Sequence, residues 1–151
     1  MGQILLDTNV LIDVLTNDPQ WADWSIAQLR AQSKVHGLAI NPIIYSELSL
    51  TFSTVETLDQ TISDLDLIML ELPRPALFLA GKAFLRYRKL GGTKTDLFGD
   101  FFIGAHAAVG DFPPSDARYK AIRGLFFWRA VDCSLIWLGG EQQFPVSLGA
   151  V

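Results

Sequence analysis

Residues 3 to 7 read QILLD, a short apolar run that ends on a carboxylate, and TNVLIDVL follows it without a break. The first piece has the signature of a buried strand, the second carries apolar residues at helical spacing. Thr8 or Asn9 is placed to cap that helix. A strand turning at once into a helix commits the chain to packing helices on a sheet.

The rest of the first 110 residues repeats this grammar. WADWSIAQLRAQSKVHG predicts a second helix stopped by Gly37, and Leu38 to Ile40 a second strand. Asn41-Pro42 is a cap followed by proline at the first helical position, opening a helix over PIIYSELSLTF. Ser53 to Glu56 forms a capping box for a helix reaching about Leu65, and Leu67 to Leu70 predicts a third strand. Arg74 to Leu90 is a long amphipathic helix closed by Gly91-Gly92, and FGDFFIGAHAAVG a short apolar one. Strands alternating with helices predict an α/β fold, three layers with a short, mainly parallel sheet flanked by helices.

Composition narrows the class. Half of the 151 residues are hydrophobic and 19% are charged, which fits one globular domain rather than a disordered chain. No basic segment precedes an apolar one at the start, and Asp7 and Asp13 interrupt the greasiest stretch, so the expectation is a cytoplasmic protein without signal peptide or membrane span. A single cysteine excludes an internal disulfide and a cysteine metal cluster. The net charge of −4 argues against a broad non-specific nucleic-acid surface. Six of the twelve cations nevertheless fall between Arg74 and Lys94.

Ligands of open parallel sheets bind at the carboxyl ends of the strands. Asp7 stands at such an end, Glu47 in the first turns of the helix after the second strand, and Asp100 in the first turn of the last helix. Three carboxylates meeting in one cleft must protonate or recruit a cation, and hard oxygen ligands suit Mg²⁺ or Mn²⁺. Taken singly, each has a plainer reading: Asp7 as a helix cap, Glu47 as a solvated residue, Asp100 as a complement to the helix dipole. An Asp after a first strand also suits phosphoryl transfer, but the paired acids of a receiver domain and the second Asp of a phosphatase are missing.

LLDTNVLIDVL, YSELSL and GDFFIGAHA resemble, in order and spacing, the three signature segments of the PIN-domain family. More narrowly they are similar to VapC-type toxins of bacterial toxin–antitoxin pairs, over roughly residues 3 to 109. The resemblance implies a Mg²⁺- or Mn²⁺-dependent ribonuclease, often dimeric and silenced by a cognate DNA-binding antitoxin. It implies Asp7, Glu47 and Asp100 as the catalytic, metal-binding acids, Thr8 and Asn9 as polar residues lining the substrate beside the first acid, and Asp13 as a mainly structural acid. Relatives commonly have proline before the third acid, where this chain has Gly99.

Lys82, Arg86 and Lys89 share one helix face, either a guide for an RNA backbone or a solvated surface. His106 reads as a hydrogen-bonded core histidine in preference to a general base, and His36 as a cation suited to a helix end. Trp21, Trp24, Phe101 and Phe102 read as core or interface packing.

Past Gly110 the resemblance stops. The family continues with a strand and a Thr-Arg-Asp segment bearing the fourth acid. Suitable codons for Ser115 to Arg123, read one base later, spell Leu-Thr-Arg-Asp-Thr-Arg-Arg-Tyr, which points to a frameshift close to Gly110. The expected organisation is therefore a PIN-like core over residues 1–110 and a divergent tail over 111–151, with Asp116 a stand-in for the fourth acid. The alternative to an active ribonuclease is a weak or inactive PIN-fold module that retains antitoxin binding.

Overall fold

A computed structural model describes residues 2–93 and 98–110. The tail with Asp116 lies outside the described residues, as does Lys94. Three strands, β1 (Gln3–Leu5), β2 (Gly37–Ile40) and β3 (Ile68–Met69), form a parallel sheet in the order β1-β2-β3. Ile4 pairs with Leu38 and Leu5 with Ala39, while Ala39 and Ile40 pair with Ile68 and Met69 on the other side. Helices α1 (Thr8–Leu15), α2 (Ala22–Ser33), α3 (Pro42–Leu48), α4 (Val55–Asp64), α5 (Arg74–Lys89) and α6 (Phe98–Val109) complete the α/β arrangement.

The core follows from the apolar runs. Ile4 and Leu6 around β1, Ile40 of β2, and Leu11, Ile44, Leu48 and Leu58 of the helices are almost wholly buried in one cluster. A second cluster joins α5 to α6. Ala76, Ala80 and Ala83 present only methyl groups to Phe101 and Ala105, so the helices can lie close. Phe101 meets Phe84 edge-on, with ring centroids 5.7 Å apart, and also packs against Tyr87.

Element ends differ from the sequence expectation for local reasons. Gly37 does not stop α2; that helix ends at Ser33, and Val35 and His36 turn back by donating to the Gln32 carbonyl. Gly37 instead opens β2, where a β-carbon would stand 3.0 Å from Ile68 Cδ1. α3 stops at Leu48 and passes into a 3₁₀ turn, Ser49–Thr51, because the Ser49 and Thr51 hydroxyls bond back to the Ser46 and Leu48 carbonyls. The cap of α4 is Thr54, one residue past the expected Ser53, with its hydroxyl accepting from the Thr57 N–H. α5 closes as expected. Gly91 takes φ +91°, its N–H bonds to the Arg88 carbonyl, and the Gly92 N–H bonds to the Tyr87 carbonyl. Among the described residues no helix is long and apolar enough to cross a membrane.

Candidate functional site

The site begins where β1 runs out. The Leu6 N–H still reaches the Ala39 carbonyl at 2.8 Å, and the next residue, Asp7, leaves the sheet at its carboxyl edge. Asp7 is nearly buried and is itself the N-cap of α1, as its plainer reading has it, and not Thr8 or Asn9. Its Oδ1 accepts from the Asn9 backbone N–H at 2.9 Å and from the Asn9 side-chain amide at 3.0 Å. Asn9 therefore orients the carboxylate twice over. Thr8, also buried, donates its hydroxyl to Oε2 of Glu47.

Glu47 comes from the second strand–helix unit. Fully buried Asn41 leaves β2 and caps α3, accepting at Oδ1 from the Ile43 and Ile44 N–H groups, both at 3.0 Å. Pro42 supplies the first helical residue. Because α3 has only seven residues, Glu47 sits in its last turn, not its first, one residue before the end. From there its carboxylate reaches Thr8 with one oxygen and the backbone of α6 with the other. A β-carbon on Gly99 would stand 2.7 Å from Glu47 Oε1 and 3.7 Å from Ile43 Cγ2.

Asp100 follows Gly99 in the first turn of α6 and is partly exposed. The three expected acids thus arise from three segments that touch through Thr8, Glu47 and Gly99. They do not close into an ion site as they stand. Among the described residues, no three Asp, Glu, His or Cys side chains lie close enough to hold one metal ion.

His106 is a buried, hydrogen-bonded core residue. Its Nδ1 lies 3.2 Å from the Asn41 side-chain nitrogen. Since the Asn41 oxygen already takes two backbone donors, its nitrogen must be the donor, which makes Nδ1 an acceptor and puts the imidazole proton on Nε2. Burial holds the pKa of His106 below its ordinary value, in keeping with this neutral form. Asp13 accepts from the hydroxyl of fully buried Ser25 at 2.7 Å, tying α1 to α2. His36 lies at the turn into β2, and among the described residues its Nδ1 is buried without a hydrogen-bond partner.

Lys82 lies on the side of α5 turned from α6, with its ammonium 5.2 Å from the centroid of the exposed Phe78 ring. Arg86, one turn further on, is partly buried. The approach of Glu47 to the Gly99 backbone and the bond from Ser25 to Asp13 were not foreseen. The first has a trace in the sequence, the glycine directly before Asp100; the second has none, because the partners belong to different helices.

No protein-family model matches this chain, and no curated protein matches it. Among solved structures, it is similar to a chain in the crystal structure of VapBC2 from Rickettsia felis bound to a DNA fragment from their promoter. This chain shares its fold. The superposition has a TM-score of 0.57 at 19% identity and covers 81% of this chain and 93% of the other. At that identity the likeness speaks to architecture, and the chemistry rests on the residues themselves.

Proposed function

We propose that the chain is a VapC-type endoribonuclease that cleaves RNA phosphodiester bonds with Mg²⁺ or Mn²⁺, Asp7, Glu47 and Asp100 being its acids. The observation that carries this reading is the meeting of Thr8, Glu47 and Gly99, which brings the three acid-bearing segments to one edge of a parallel sheet. A divalent ion, when bound by such acids, supplies water activation and charge stabilisation. The chain's own part is orientation: Asn9 holds the Asp7 carboxylate, and Thr8 holds that of Glu47. On the likeness to the VapBC2 complex we also propose a cognate antitoxin as partner; a homodimer is the assembly that the motif resemblance implies.

Cleavage of a labelled RNA by the purified chain, with Mg²⁺ or Mn²⁺ and then with EDTA, tests the reading. Asp7→Asn and Asp100→Asn are expected to abolish metal-dependent cleavage. A correctly folded wild-type protein that cuts no RNA with either metal would overturn the assignment. That outcome belongs to the second reading, an inactive module retained for antitoxin binding, which the missing Thr-Arg-Asp segment past Gly110 favours. Co-purification with the product of the adjacent upstream gene tests the partner in both cases.

A further inference from the structure

Helix α5 is chemically unlike the rest of the chain. It carries five of the twelve Lys and Arg residues, Arg74, Lys82, Arg86, Arg88 and Lys89, and none of the sixteen Asp and Glu residues. The side that packs on α6 is apolar and consists of Ala76, Ala80, Ala83 and Tyr87. At 100° per residue, Arg74, Phe78, Lys82 and Lys89 fall on the opposite side, in a stripe about 22 Å long at 1.5 Å per residue. All four are exposed, and Phe78 keeps 66% of its surface open to solvent.

We propose that this stripe binds a single strand of RNA, with Lys82 and Lys89 on the phosphates and Phe78 under a base. The proposal deepens the ribonuclease reading and rests on it for the choice of RNA. Single-strand binding sites pair a cationic track with aromatic faces on which bases stack, a combination that tolerates any sequence. The exposed Phe78 ring and the Lys82 ammonium lie together, 5.2 Å from centroid to nitrogen, so a stacking face and a phosphate-binding cation stand side by side. The Lys89 end of the stripe is also the end of α5 that adjoins the start of α6. Phe101, the neighbour of Asp100, packs on Phe84 and Tyr87 in the last turns of α5, across the helix from the stripe. The chain's negative net charge disfavours polyanions elsewhere, which concentrates binding on this one helix.

Fluorescence anisotropy of a fluorescein-labelled 20-nucleotide single-stranded RNA, in EDTA so that cleavage does not interfere, measures binding directly. The double variant Lys82→Glu/Lys89→Glu is expected to weaken binding at least tenfold. The dependence of log Kd on log salt should become shallower by about 1.4, at roughly 0.7 for each phosphate no longer neutralised. Arg30→Glu/Lys34→Glu makes the same change in net charge at the exposed end of α2 and is expected to stay within twofold of wild type. Phe78→Ala should weaken binding with the salt dependence unchanged. Equal weakening in the two double variants, or no binding by the wild type, would overturn the proposal; the latter would leave the stripe to an acidic protein. The two readings separate cleanly. RNA held through α5 but never cut by wild type with Mg²⁺ or Mn²⁺ sinks the ribonuclease alone, whereas RNA cut by wild type and bound normally by Lys82→Glu/Lys89→Glu sinks the track alone.

Discussion

Glu47 rests on the backbone at Gly99: its Oε1 occupies space 2.7 Å from where a β-carbon would project. A side chain on residue 99 and a carboxylate in this pose exclude each other. Because that carboxylate ends a flexible side chain, Gly99→Ala should displace Glu47 and leave the fold standing. Alanine gains up to about 1 kcal/mol over glycine inside a helix, so the melting temperature should stay level or rise slightly. Metal-dependent RNA cleavage by the same variant is expected to fall at least tenfold. Unchanged cleavage would show that the pose of Glu47 does not matter to the chemistry.

Asp7 caps α1 and, in the proposed function, also serves as an acid, two tasks that substitution can separate. As the N-cap of α1 it needs an acceptor oxygen, which asparagine also supplies; as an acid it needs its charge. Asp7→Asn should leave urea-unfolding stability within about 0.5 kcal/mol of wild type, and Asp7→Ala should cost about 1 kcal/mol. Both should abolish cleavage.

Thr8→Val keeps the shape of a buried side chain and removes the donor to Glu47. The expected cost is about 1–3 kcal/mol, the penalty of a buried group that loses its partner. Thr8→Ser restores the hydroxyl and should recover most of the stability. Equal instability in the two variants would locate the effect in the missing methyl group.

His106 makes stability depend on pH with a definite sign. The unfolded chain takes up the imidazole proton near pH 6.5, the folded chain only at lower pH because burial disfavours the cation. Between those two values the unfolded state binds more protons, so stability falls as pH falls below about 6.5 and levels off beneath the folded pKa. His106→Gln retains an acceptor for Asn41 and cannot titrate. The stability difference between wild type and this variant, from denaturant unfolding at pH 7.5 and 5.5, should shift against wild type at the lower pH.

Ser25→Ala tests Asp13 as a structural acid. Removing the 2.7 Å bond between α1 and α2 should cost about 1–3 kcal/mol, with cleavage per folded molecule unchanged.

The elements were legible because their causes are local. Ile4, Leu5 and Leu6 form an apolar run too short for a helix, Asn41-Pro42 is a cap and an N1 proline, and Gly91 has a φ that other residues avoid. Boundaries moved where side-chain hydroxyls competed with the backbone, at Thr54 and at Ser49. In the site, motif order pointed to Asp7, Glu47 and Asp100, and the structure places them in adjoining segments. Which atoms meet was not legible. The bond from Thr8 to Glu47 spans 39 residues and the approach at Gly99 joins two separate helices, and both depend on how helices cross, which periodicity does not encode.

Asn41 also links two timescales of folding. Its amide oxygen serves N–H groups two and three residues ahead, a choice that a nascent helix can make alone. Its amide nitrogen waits for His106, 65 residues later. Until α6 docks, the start of α3 holds a polar group whose partner is still missing from the core. The late, loop-closing step is therefore the one that brings Glu47 and Gly99 together, and a chain halted before it carries its acids unassembled.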